Sequence, residues 1–348
     1  MSCQLTLSIP GLLSPPMGFN EIPAGEFPVL SSLTKLLSRA DQSTNSQSGF
    51  YAELFAEFGI QLQGKSAPVA ALSHFLNANE AGDDWYLCVD PVFIQADLTA
   101  AYLLAHEALN LQSDEATQLI ATLNNHFAQD GWQISMAAEQ RWYLTGSGKT
   151  SIRTTVMHEA MGRHMGHCLP VGDDASYWRS VMNEVQMLLH EHPVNQAREA
   201  AGQLPVNSVW LWGEGHLPKA AQHKWQSVYS NEFTSQALAQ FSGIPCHDLP
   251  NDISSVMKHC TGNLLYVDDQ LLTRQHGFDI YYWLTALHEL EQQVFTPLLQ
   301  ALQAGHVDEL TILSGDGRRF TIKRKQLKRW WRRSKPLAHW VKATSDAD

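Results

Sequence analysis

The 348-residue sequence has no apolar run long enough to cross a bilayer, no CxxC pair among its five cysteines, and no acid between positions 318 and 342. Each absence narrows the reading. A helical span needs about 20 consecutive apolar residues. The opening MSCQLTLSIPGLLSPP has no basic start and is broken by Pro10, so neither a membrane span nor an export signal is expected. Cysteines at 3, 88, 168, 246 and 260 are odd in number and widely scattered. That argues against a disulfide framework or a zinc knuckle and fits a reducing, cytoplasmic setting.

The missing acids matter for charge. Residues 318–342 sum to +11, whereas the whole chain is −11, which leaves −22 on the rest. A basic tail on an acidic body points to an anionic partner or to a tail docked on its own body. In KRKQLKRWWRR, Leu327, Trp330 and Trp331 fall on one face of an amphipathic helix. Such a helix could grip nucleic acid through phosphate contacts and stacking, or lie on an anionic membrane. Docking onto the acidic body is the preferred reading, and nucleic-acid binding through 318–342 is not favoured.

At 44% hydrophobic and 17% charged, the composition is that of a globular protein. Ser38 to Gly49 reads as a polar connector. WYLCV (85–89) reads as a strand stopped by Asp90-Pro91, since proline biases the residue before it away from helix. Ser113 to Phe127 has helical spacing, and 132–136 with 141–144 read as a hairpin. Trp178 to His190 is an amphipathic helix. Pro193 suits the first turn of the next helix and Gly202 its end. VNSVWLW (206–212), NLLYV (263–267) and ELTIL (309–313) are apolar on both faces, as central parallel strands are. Ile280 to Leu302 is a long helix, kinked at Pro297 and closed by Gly305. The expected class is α/β, with a mostly parallel, doubly wound sheet, flanking helices and small β-hairpin additions. The expected divisions are 1–80, an N-terminal strand and helices; 81–317, the α/β core; and 318–348, a basic C-terminal strand and helix.

Three motif-like stretches fail on their spacing. TGSGKTS (145–151) lacks the first P-loop glycine, because position 143 is Tyr143. HEAMGRHMGH (158–167) has Gly162 where the second zinc histidine belongs, so His164 and His167 read as loop histidines. GEGHLP (213–218) has Pro218 in place of the third glycine of a dinucleotide turn. The location still carries meaning, because ligands of open α/β sheets bind outside the carboxyl ends of strands. Asp90, Glu214, Asp268 and Asp269 follow apolar strands and could gather there to hold a hard cation or act as a base. Trp210 and Trp212 would line or support the crevice beside Glu214, with Asp90, His190 and His192 near it. Asp316 belongs to a hairpin turn before FTIK.

Together, DDWYLCVDPVFIQAD, the run from NEVQMLLHEHPVN to LPVNSVWLWGEGHLP, and DELTILSGDGRRFTIKR resemble one family. These are the bacterial proteins related to cofactor-independent phosphoglycerate mutase, also called the regulatory, RpfE-type family. The resemblance covers about Trp85 to Pro336 and implies an alkaline-phosphatase-like core. Members of that wider superfamily use two divalent metals to activate a Ser or Thr nucleophile. They need an Asp ending the first strand, a D-x-x-x-H-x-x-x-H block and a late Asp-His pair, and this sequence has none of these. The resemblance therefore implies a protein with no cofactor assigned, non-catalytic or altered, that binds a small anionic metabolite or a protein partner in a regulatory role. The alternative is a phosphoryl-transfer enzyme holding manganese, zinc or magnesium through Asp90, Glu214, Asp268 and Asp269.

Overall fold

The structure is a computed structural model that describes residues 3–16, 27–44, 49–78, 83–96, 101–105, 107–146, 150–161, 163–219, 223–258, 260–273 and 280–341. The chain divides into two compact units: residues 62–219, and residues 1–61 together with 220–348.

The first segment of the discontinuous unit contains β1 (Cys3–Ser8), α1 (Ser31–Arg39), β2 (Asp41–Thr44) and α2 (Phe50–Glu57). The inserted unit opens with α3 (Val69–Ala78), β3 (Trp85–Ala96), β4 (Ala101–Ala105), α4 (Ser113–His126), β5 (Trp132–Ala138) and β6 (Arg141–Gly146). It continues with α5 (Met157–Ala160), α6 (Ala175–His190), α7 (Pro193–Ala200) and β7 (Ser208–His216). The discontinuous unit then resumes with β8 (Ser227–Ser230), α8 (Phe233–Phe241), β9 (Cys246–His247), α9 (Ser254–Lys258), β10 (Gly262–Val267) and α10 (Gln270–Thr273). It ends with α11 (Ile280–Leu290), α12 (Thr296–Ala304), β11 (Glu309–Leu313), β12 (Arg318–Lys323) and α13 (Leu337–Trp340).

The discontinuous unit carries a seven-stranded sheet in the order β2-β12-β11-β1-β10-β8-β9. From β11 to β9 the strands are parallel, and β12 and β2 add antiparallel at one edge. This is the expected mostly parallel α/β sheet. NLLYV and ELTIL are the two parallel neighbours of β1, and β11 turns into β12 through the expected hairpin. Leu5, Leu7, Leu310 and Ile312 share one face of the sheet and are buried in one core with α1, α11 and α12.

Between α11 and α12 the helix widens to a π turn, Glu291–Phe295. Pro297 has no N–H and its ring crowds the carbonyl four residues back, so the irregularity falls one turn ahead of the proline. The π turn places Glu291 to accept the N–H groups of Ser32 (2.6 Å) and Leu33 (3.0 Å) at the start of α1. Gly305 closes α12 in the left-handed region, as expected.

Three expectations need correction in this unit. Cys3 and Cys260 form a disulfide with Cα atoms 5.5 Å apart, so the argument from unpaired thiols to a reducing cytoplasm loses its support. The polar connector after Ser38 supplies the edge strand β2, while 45–48 lie outside the described residues. The tail helix is absent. Residues 324–328 make a single 3-10 turn, and Trp330 and Trp331 are 78% and 63% exposed rather than docked. Like charges three and four apart oppose a helix. Arg329 and Arg332 reach instead for Asp41 and the Ala40 carbonyl. What docks is Leu337, with Trp340 edge-on to Phe320.

The inserted unit is built on a small antiparallel sheet. β3 is long enough to pair β6 through 85–88, β4 through 93–96 and β7 through 85–92. WYLCV therefore does not end at Asp90: Pro91 falls in the gap between the β6 and β4 pairings, where only β7 is hydrogen-bonded. VNSVWLW is not a central parallel strand. It forms β7, antiparallel to β3, with α3 and α6 packed on it. The β5–β6 hairpin, α4, α6 and the Pro193 start of α7 are as expected.

No described helix is long and apolar enough to cross a membrane.

Candidate functional site

The acids expected at one rim lie in different units. Asp90 and Glu214 belong to the inserted unit, and Asp268 and Asp269 follow β10 in the parallel sheet.

Asp90 is fully buried in the middle of β3. Its carboxylate accepts the backbone N–H of Trp142 (3.1 Å) and the indole N–H of Trp212 (2.9 Å), and the Arg141 guanidinium lies 3.2 Å away. Arg141 also stacks over the Trp212 ring at 5.2 Å. A buried carboxylate met by two N–H donors and a guanidinium is a structural ion pair first. Beside it, burial and then the Asp90 charge push the Cys88 thiol well up, so it is a packed thiol and not a nucleophile.

Glu214 is buried one strand over. It accepts the Thr154 N–H (3.2 Å) and hydroxyl, with Ser66 as a further donor. Burial raises its pKa against those hydrogen bonds. Trp210 is buried and donates to the Thr155 carbonyl (2.9 Å). So Trp210 and Glu214 pin residues 154–155 to β7, and Trp212 supports Asp90.

The histidines are elsewhere. His192 caps α7 by accepting the Val194 N–H and bonds Thr122 (3.0 Å); burial lowers its pKa. His190 is exposed at the end of α6. His164 and His167 lie 5.0 Å apart between ring centroids, and Gly166 donates its N–H to His164. Gly162 and 147–149 lie outside the described residues.

The carboxyl end of the parallel sheet is built from other residues. There β1 ends at Ser8, β10 leads into Asp268 and β11 into Ser314. The Ser8 hydroxyl is buried and has no hydrogen-bond partner among the described residues. Asp268 accepts the N–H (3.1 Å) and side-chain amide (2.8 Å) of Gln270, which starts α10.

Past β11, the loop 314–319 closes on α2. Glu53 accepts the N–H groups of Gly315 (3.2 Å) and Gly317. Glu57 is paired with Arg319 and, at 3.5 Å, with Lys224. Asp316 accepts the Ser314 hydroxyl (2.6 Å) and the Arg318 guanidinium (2.7 Å). Burial pushes the Glu53 carboxyl up to about 7, against the two backbone N–H bonds. Burial also presses on Asp316, but its bonds from Arg318 and Ser314 prevail and hold its pKa below the usual range. The space left among Glu53, Glu57, Gly317, Arg318 and Arg319 is about 10 Å³, room for one water molecule.

Sequence reasoning missed Glu53, Glu57 and Ser8. The signal was in FYAELFAE, where two glutamates four apart share a face of an otherwise apolar helix.

A pair of divalent metals needs several free oxygen donors converging on each ion. Here two guanidiniums stand among the acids of the loop, and backbone N–H groups occupy Glu53. Among the described residues no three His, Cys, Asp or Glu side chains converge as donors. This donor set does not fit a dinuclear centre.

The family model of 2,3-bisphosphoglycerate-independent phosphoglycerate mutase matches residues 80–195, which lie wholly within the inserted unit. Among curated relatives, the chain is similar to a mutase of that name from Methanosarcina acetivorans, 22% identical over 228 residues, covering 60% of this chain and 57% of the relative. It is also similar to the corresponding mutase 2 of Methanothermobacter thermautotrophicus, 32% identical over 111 residues, covering 31% of this chain and 28% of the relative. The chain thus spans less than two thirds of the curated relatives it matches. A solved structure from Pyrococcus horikoshii superposes with a TM-score of 0.52 at 12% identity, covering 92% of this chain and 87% of that one. That likeness shows a shared α/β fold.

Proposed function

We propose that this chain is a phosphoglycerate-mutase-like protein that binds a small anionic metabolite or a protein partner without turning it over, in a regulatory role. The observation that carries this reading is the state of the loop after β11. Its acids are engaged by Arg318, Arg319 and the N–H groups of Gly315 and Gly317, at the sheet end where an open α/β fold receives its ligand. A ligand reaching this end would meet carboxylates already held by arginines and backbone N–H groups rather than a set of free metal-binding oxygens.

The test is a mutase assay with manganese, magnesium and zinc, alongside elemental mass spectrometry of protein purified without a chelating tag. No turnover and no stoichiometric metal is the expected result. Turnover that disappears in Asp316→Asn or Glu53→Gln would sink the reading.

The similarity to curated mutases favours a second reading, a metal-dependent phosphoryl-transfer enzyme with rearranged ligands. It requires Asp316 to exchange Arg318 for a metal. Near-stoichiometric metal together with turnover would establish it.

A further inference from the structure

The segment after β12 displays two tryptophans that the fold holds outward. Its ends are fastened. Arg39 donates to the Leu327 carbonyl, Arg329 pairs with Asp41 (2.5 Å), and Arg332 donates to the Ala40 carbonyl (2.6 Å). The Lys335 N–H bonds the Ser38 hydroxyl (3.0 Å), and Leu337 enters the core. Between these fastenings Trp330 and Trp331 remain largely exposed and lie edge to face, with centroids 5.9 Å apart at 85°. Lys325, Lys328 and Arg333 are exposed on the same segment, and among the described residues no acid pairs with them.

We propose that residues 325–333 are a docking surface for an anionic lipid bilayer, lying on its surface without spanning it. Indole rings settle at the headgroup level, where their apolar body and N–H are both satisfied, and adjacent Lys and Arg are drawn to anionic headgroups. The ring geometry favours this occupant over a nucleic acid. Successive bases stack on successive aromatic faces, whereas these two rings stand nearly perpendicular and in contact, so no base enters between them and consecutive bases cannot lie on both. A bilayer makes no such demand.

The experiment is sedimentation of the full-length chain with phosphatidylcholine vesicles, with and without phosphatidylglycerol, read together with tryptophan emission. Binding is expected only with phosphatidylglycerol, with a blue shift, and it weakens as salt rises. Trp330→Ala/Trp331→Ala lowers the partition coefficient by about ten-fold or more. Each of Lys325→Ala, Lys328→Ala and Arg333→Ala lowers it by about five-fold. Both tryptophans are exposed, so circular dichroism of the double variant should match that of the parent. No pelleting with anionic vesicles, equal pelleting of the tryptophan variant, or saturable binding of a single-stranded oligonucleotide in place of vesicles would overturn the proposal.

Discussion

Trp212 donates its indole N–H to Asp90 at 2.9 Å, joining the middle of β3 to the middle of β7 through a fully buried carboxylate. Removing that carboxylate takes an acceptor from the Trp212 indole and the Trp142 N–H and an ion-pair partner from the Arg141 guanidinium. Asp90→Ala should cost about 3–5 kcal/mol, the usual penalty for breaking a buried pair from one side. Urea unfolding of 62–219 signals would measure it, and a loss below about 1 kcal/mol would contradict the assigned role.

Glu53 should make stability depend on pH near neutrality. Its carboxyl titrates at about 7 in the fold against 4.5 when unfolded, so between those values the native state holds a proton that the unfolded chain has lost. Stability therefore falls as pH rises from about 4.5 and levels off above about 7, by up to about 3 kcal/mol. Asp316, held low, acts in the opposite sense and at more acid pH. Unfolding midpoints at pH 5 and pH 8 should differ more in the parent than in Glu53→Gln. An identical slope in both would refute the assignment.

Gly215 has φ +146°, and a Cβ there would meet the Pro68 Cβ at 2.8 Å. Gly131 also has positive φ, but nothing lies within 4 Å of its would-be Cβ. Gly215→Ala should therefore lose roughly 1–3 kcal/mol more than Gly131→Ala, since φ +146° lies far outside the left-handed well that +75° borders, and the collision adds to that strain. Thermal melts of the two variants make the comparison.

The five cysteines should sort into three classes under alkylation. In the native, unreduced chain only Cys246 is exposed, and burial together with Asp248 raises its pKa, so labelling should be slow at neutral pH. Denaturant without reductant should add Cys88 and Cys168. Cys3 and Cys260 should react only after reduction. Breaking their bond should cost about 3–5 kcal/mol, the range for a bridge closing a long loop. Five labels without reductant would exclude the disulfide.

The parallel sheet could be read from the sequence because NLLYV and ELTIL are apolar on both faces and separated by a long helix. VNSVWLW has the same pattern for a different reason. Helices cover both sides of β7 in an antiparallel sheet, and burial does not encode strand direction. Asp90 was misplaced because Pro91 looked like a stop, whereas a long strand that changes partners absorbs it. The disulfide joins residues separated by 257 positions, and only the register of β1 against β10 brings them together. Glu53 and Ser314–Arg319 lie equally far apart, so the closed loop could not be read from either stretch alone.

The insertion of residues 62–219 has a consequence for the order in which the chain takes shape. β1, the middle of the parallel sheet, is made ahead of the insertion, and both of its hydrogen-bonded neighbours, β10 and β11, come after it. Every strand pairing of the inserted unit closes within 85–216. During synthesis the inserted unit can complete its sheet while β1 is still waiting, an unpaired apolar strand leaving the ribosome with a free thiol at Cys3. The nascent chain is therefore most open to aggregation and to wrong thiol partners in the interval before residue 262 emerges.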